Sequence, residues 1–156
     1  MITKSQKQKA VGHIIYEFMM FRRTSEFLMS PISDQLMKNI IIESFAIHSR
    51  TLFDFFYKNR GQPDDIIALD YIHPNKKFNP AKEGLSNLSQ KANKQVSHLT
   101  YARNKYNIRT KGWNVIKIKS RMELTIKSFM KMLEGEEKDW FEKKIREYNI
   151  DPVTFP

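Results

Sequence analysis

Residues 36–56 read LMKNIIIESFAIHSRTLFDFF. On a helical wheel apolar side chains fall almost all the way round, and Glu43, Arg50 and Asp54 interrupt them on one narrow stripe. A helix that is apolar on every side is normally enclosed by protein. Charges within it are costly unless they are paired or used. The stretch therefore predicts a central helix with a charged seam. Arg50 and Asp54 are one turn apart and can bond directly, with Glu43 two turns before Arg50. The seam has two readings. It is an ion-pair network that fixes helix register, or it lines a polar pocket and orients a catalytic group on a neighbouring helix.

Working outward, Val11, Ile14, Ile15, Phe18, Met19 and Arg22 recur at helical spacing, which predicts a first helix from about Ser5 to Met29. Ser30-Pro31 ends it, and Ser33 or Asp34 caps the next helix, which runs to about Tyr57. Asn59–Pro63 reads as a turn, Asp64 or Asp65 as the cap of a short helix through Tyr71, and His73–Pro80 as a loop. A third long helix is expected from Ala81 or Leu85 to Tyr106, then a basic loop over 107–112. Helices over 113–132 and 136–148 complete the chain, with Gly135 marking a break. Strand signals are weak. The expectation is an all-α helical bundle of four long helices plus one or two short ones, a single domain over 1–156, packed around the second helix.

The chain has 156 residues and no cysteine, which excludes disulfides, thiolate nucleophiles and cysteine zinc sites. That fits a reducing, cytoplasmic setting, the expected location. No apolar run approaches the length of a membrane span, so no membrane association is expected. The N-terminal MITKSQKQKA is polar and lacks the apolar core of a signal peptide.

Net charge is +10 and unevenly spread. Residues 71–121 hold twelve Lys/Arg and one acid, while residues 31–70 and 122–156 are each net acidic. A concentrated basic stretch attracts nucleic acid, acidic lipid or another anion. Within it, Leu88, Ala92, Val96, Leu99 and Tyr106 form the core face of the third helix. Lys91, Lys94, His98 and Lys105 lie on an adjoining stripe. Arg103 falls on the core face and is expected to meet Glu43 or Asp54. Tyr71, Tyr101, Tyr106 and Trp113 lie in the same basic stretch and offer stacking surfaces for bases.

Metal and cofactor chemistry find little support. His13, His48, His73 and His98 form no pair at the spacing of helical metal ligands, and Asp64, Asp65 and Asp70 read at least as well as capping residues. No glycine-rich phosphate loop and no serine-centred elbow occurs. No metal or cofactor is expected.

Two segments, IIESFAIHSRTLFDFFY over 41–57 and NKQVSHLTYAR over 93–103, resemble the paired signatures of a group of small, largely uncharacterised bacterial helical proteins. These carry an ESF-x-IH-x-R-x-L-x-DF helix and a later NK-x-x-x-HLTYAR helix. The layout is similar to the HEPN superfamily of helical bundles, many of them metal-independent ribonucleases of toxin and antiphage systems. HEPN proteins carry an Arg and a His a few residues apart; here, with six residues before His98, the matching position holds Lys91. Lysine stabilises a phosphate without the planar bidentate contact of arginine.

The resemblance implies an RNA-binding protein and a metal-independent endoribonuclease. His98 would be general acid or base toward a ribose 2′-hydroxyl, Lys91 would stabilise the phosphate in the transition state, and Asn93 would position His98 or a phosphate oxygen. Glu43, Arg50, Asp54 and Arg103 would support them, and Lys94, Tyr101, Lys105, Arg109 and Lys111 would hold the nucleic acid. A homodimer follows from the same analogy. The alternative is a non-catalytic helical module that binds RNA or another polyanion, a nucleotide against the seam, or an acidic protein partner.

Overall fold

The computed structural model of the chain describes residues 2–85, 87–97, 101, 104 and 112–148. These residues form helices and connecting turns, with no strand among them. α1 spans Lys4–Met29. Thr3 and Gln6 cap it reciprocally, the Gln6 amide N–H donating to Thr3 Oγ1 at 3.2 Å and the Thr3 amide to Gln6 Oε1 at 2.8 Å. α2 spans Gln35–Tyr57, and its cap Asp34 accepts from the Met37 amide at 2.6 Å. A 3₁₀ turn covers Ala68–Tyr71. α3 spans Leu88–Ala92 and continues as a π-helical turn over Asn93–Ser97. α4 spans Val115–Met132, started by Asn114, and α5 spans Gly135–Glu147. The expected all-α fold is what these residues form.

The expected limits hold at α1, α2, α4 and α5 and fail at the third helix. Gly84 has φ +78°, in the left-handed region, so a helix from Ala81 or Leu85 does not form and α3 begins at Leu88. The π-helical turn is the second departure. It holds more residues per turn than an α-helix, so the ideal wheel on which Lys91 and Lys94 shared a stripe does not apply over Asn93–Ser97. The short helix before Tyr71 is also shorter than expected. Asp65 serves the preceding turn instead, accepting from the Gly61 and Gln62 amides at 2.9 and 2.7 Å. Those two bonds hold its carboxyl below the usual range, Gln62 contributing most.

The core is aromatic. Phe129 of α4 is fully buried and packs on Phe55 and Phe56 of α2 at ring distances of 5.4 and 5.6 Å. It also meets Phe141 of α5 at 5.4 Å and Phe18 of α1 at 6.4 Å. Such edge-on pairs add about 0.5–1.5 kcal/mol each beyond the area they bury. α1 contributes Ile14, Ile15, Phe18 and Phe21 to this interior and packs against α2, α4 and α5. α2 is therefore one of two central helices.

Nor is α2 enclosed along its length. Leu36, Met37 and Ile40 are 68%, 50% and 50% exposed, and the first buried residue of α2 is Phe45. An apolar wheel shows which residues could be covered; the elements that pack at each level decide which are.

One buried charge pair ties α1 to α4. Arg22, on the apolar face of α1, donates from Nε and Nη2 to the two carboxylate oxygens of Glu123 at 2.7 and 2.6 Å. Both side chains are largely buried. The bidentate geometry offsets much of their desolvation cost. Glu123→Gln is expected to lower unfolding free energy by about 3 kcal/mol, because it leaves a guanidinium buried against a neutral amide. Arg22→Met combined with Glu123→Leu should cost less than that single change. Urea unfolding measures both, and a wild-type midpoint for Glu123→Gln would contradict the pairing.

Candidate nucleic-acid interface

Lys91 stands at the end of α3, half-buried. Its Nζ donates to the Gly112 carbonyl at 2.5 Å and lies 5.0 Å from the centroid of the Trp113 ring. Burial pushes its pKa down. Trp113 in turn meets Phe45 of α2 edge-on at 6.3 Å. Lys91 thus ties α3 to the segment that opens α4, a role the wheel did not suggest. Asn93 and Lys94 follow in the π-helical turn, both half-buried, and Asn93 Oδ1 is buried without a hydrogen-bond partner among the described residues. Tyr101 is 94% exposed, so its ring is open to a ligand. His98, Arg103, Lys105, Arg109 and Lys111 lie outside the described residues.

The described cations of the basic stretch divide into two sets. Lys76 pairs with Glu134 at 2.5 Å, Lys119 with Glu26 at 3.7 Å and Arg121 with Glu83 at 2.8 Å. Lys77, Lys82, Lys91, Lys94 and Lys117 have no carboxylate partner among the described residues. Unneutralised lysines are what a polyanion exploits, because each one it engages releases counterions.

The seam proves to be a joint. Asp54 accepts from Ser89 Oγ of α3 at 2.7 Å, pairs with Lys58 at 2.7 Å, and lies 3.8 Å from Arg50 Nε. Ser89 thus links α3 to α2, and the contact expected of Arg103 lies outside the described residues. Glu43 is exposed and has no partner among the described residues, so it does not share the joint.

Arg50 and Asp54 also face a cleft of about 690 Å³ between α1, α2 and residues 58–67, with His13, Glu17 and Lys58 among its walls. Behind it Glu17 Oε2 meets His48 Nδ1 at 2.7 Å, with the Tyr16 ring edge-on to the imidazole at 5.8 Å. The wheel put His48 in an apolar helix and missed this partner. A buried imidazole needs an acceptor, and Glu17 is one turn beyond His13 on α1. Four carboxylates line the cleft, Glu17, Asp54, Asp64 and Asp65, against the cations Arg50 and Lys58. That balance disfavours a phosphate backbone in the cleft.

Among the described residues no three His, Asp or Glu are placed to hold a metal ion, and no helix is long and apolar enough to cross a membrane. No family model, no curated protein and no solved structure matches this chain.

Two substitutions separate the parts of the joint. Asp54→Asn keeps an acceptor for Ser89 and should cost under about 1 kcal/mol, since it removes only partly exposed ion pairs. Asp54→Ala also strands the buried Ser89 hydroxyl and should cost about 1 kcal/mol more. Urea midpoints that coincide for the two would remove Ser89 from the joint.

Proposed function

We propose that this protein binds RNA through the basic face contributed by residues 71–121. The observation that carries the reading is the set of five lysines in that stretch without carboxylate partners among the described residues. The twelve-to-one excess of basic over acidic residues there supports it. Tyr101 adds an exposed ring for base stacking, a sequence-tolerant contact. Lys94, Lys105, Arg109 and Lys111 extend the same basic stretch.

Fluorescence anisotropy with single-stranded RNA tests the proposal. Log affinity should fall linearly with log salt. Changing Lys82, Lys94 and Lys105 together to Gln should flatten the slope by about 2, at roughly 0.7 for each phosphate that the variant no longer neutralises. Affinity that ignores salt, or a triple variant with the wild-type slope, would reject it.

RNA cleavage is the sharper form of the same reading, and the HEPN-like resemblance favours it. His98 would move the proton and Asn93 would position it or a phosphate oxygen. Lys91 would meet the phosphate with the N–H groups it does not spend on Gly112. Incubation with mixed RNAs in EDTA should then show cleavage by the wild type and none by His98→Ala. Cleavage equal in both, or absent from both, rejects this His98 mechanism.

A further inference from the structure

A small cavity of about 170 Å³ opens where α3 meets the start of α4, walled by Gly84, Asn87, Lys91, Trp113, Asn114 and Lys117. Among the described residues its charged lining residues are the two lysines, and no described carboxylate faces it. The nearest acid in sequence, Glu83, is held by Arg121 at 2.8 Å. Neither lysine has a carboxylate partner among the described residues, and Lys91 is partly desolvated, its charge pulled away from water. Like charges gathered in a half-enclosed space are unfavourable until an anion joins them.

The backbone keeps this space open. Gly84 sits at φ +78°, and a Cβ there would overlap Lys117 Cε and come within 3.1 Å of Nζ. The Lys117 stem therefore lies across the bare glycine, which directs its ammonium to the cavity. Lys91 comes from the opposite wall, with one N–H committed to Gly112 and two remaining. The first turn of α4 carries no acidic side chain, so the positive end of an 18-residue helix adds to the same field.

We infer that this cavity is a phosphate-binding pocket, in which Lys91 and Lys117 grip one phosphate group. The inference deepens the RNA-binding proposal and rests on it for what carries the phosphate. The grip itself is the same for inorganic phosphate and for a phosphate of bound RNA.

Titrating the full chain with inorganic phosphate at constant ionic strength tests this, following the amide signals of Gly84 and Ile116 and the Trp113 indole N–H by NMR. Saturable shifts are expected with phosphate and not with chloride. Lys117→Gln should weaken phosphate about tenfold, the loss of one charge-assisted hydrogen bond. Gly84→Ala should do the same by displacing Lys117 while retaining its charge, and a wild-type circular dichroism spectrum shows that either variant is folded. In the second arm, inorganic phosphate should compete with RNA on the wild type and lose that effect on Lys117→Gln. No saturable shift, or equal shifts in wild type and both variants, overturns the pocket even where RNA still binds. Phosphate binding without any RNA binding upholds the pocket and rejects the RNA proposal.

Discussion

The position of Phe129 constrains most of this fold. One ring on α4 is in contact with α1, α2 and α5 at once, and with Phe78 from the intervening loop at 6.1 Å. Interiors are packed to the density of organic crystals, so a ring held on every side fixes the helix that carries it. Fixing α4 at Phe129 also fixes its first turn, upstream on the same helix, against the end of α3. The Lys91–Trp113 contact is thus set by packing well away from it. Two polar pairs enter this interior: Arg22 with Glu123, and the Tyr57 hydroxyl with Thr125 Oγ1 at 2.6 Å.

Much of the fold was legible in the sequence because its signals are local. Ser30-Pro31 stops α1, Asp34 starts α2, and the spacing of Val11, Ile14, Ile15 and Phe18 shows which face of α1 is buried. Two features were not legible. The open first half of α2 depends on which elements reach it, which no single helix encodes. The π-helical turn over Asn93–Ser97 arises within a run whose apolar spacing suits an α-helix. The ideal wheel that grouped Lys91 with Lys94 takes no account of its different phase.

The candidate site was legible in charge and obscure in geometry. The excess of lysine over 71–121 is visible by counting. Which of those lysines already have partners is visible only in three dimensions, because Lys76, Lys119 and Arg121 meet acids between 38 and 93 positions away in the chain. The seam shows the reverse. Arg50 and Asp54 were found from spacing alone, yet their cross-helix contact is the hydroxyl of Ser89, a residue with no charge to draw attention. Glu17 and His48 were each overlooked because the signal of either depends on the other.

Gly84 ties two distant positions in the chain to a common fate. Its left-handed φ and the lysine stem lying across it are separate restrictions on one residue. Shortening the side chain at 117 would lift the steric restriction and leave the conformational one, so alanine would still be strained at 84. Enlarging 84 first would displace the ammonium before any change at 117. Position 117 can therefore drift alone, whereas position 84 has no neutral first step. In a library randomised at both sites, glycine at 84 should be enriched among the most stable clones whatever stands at 117.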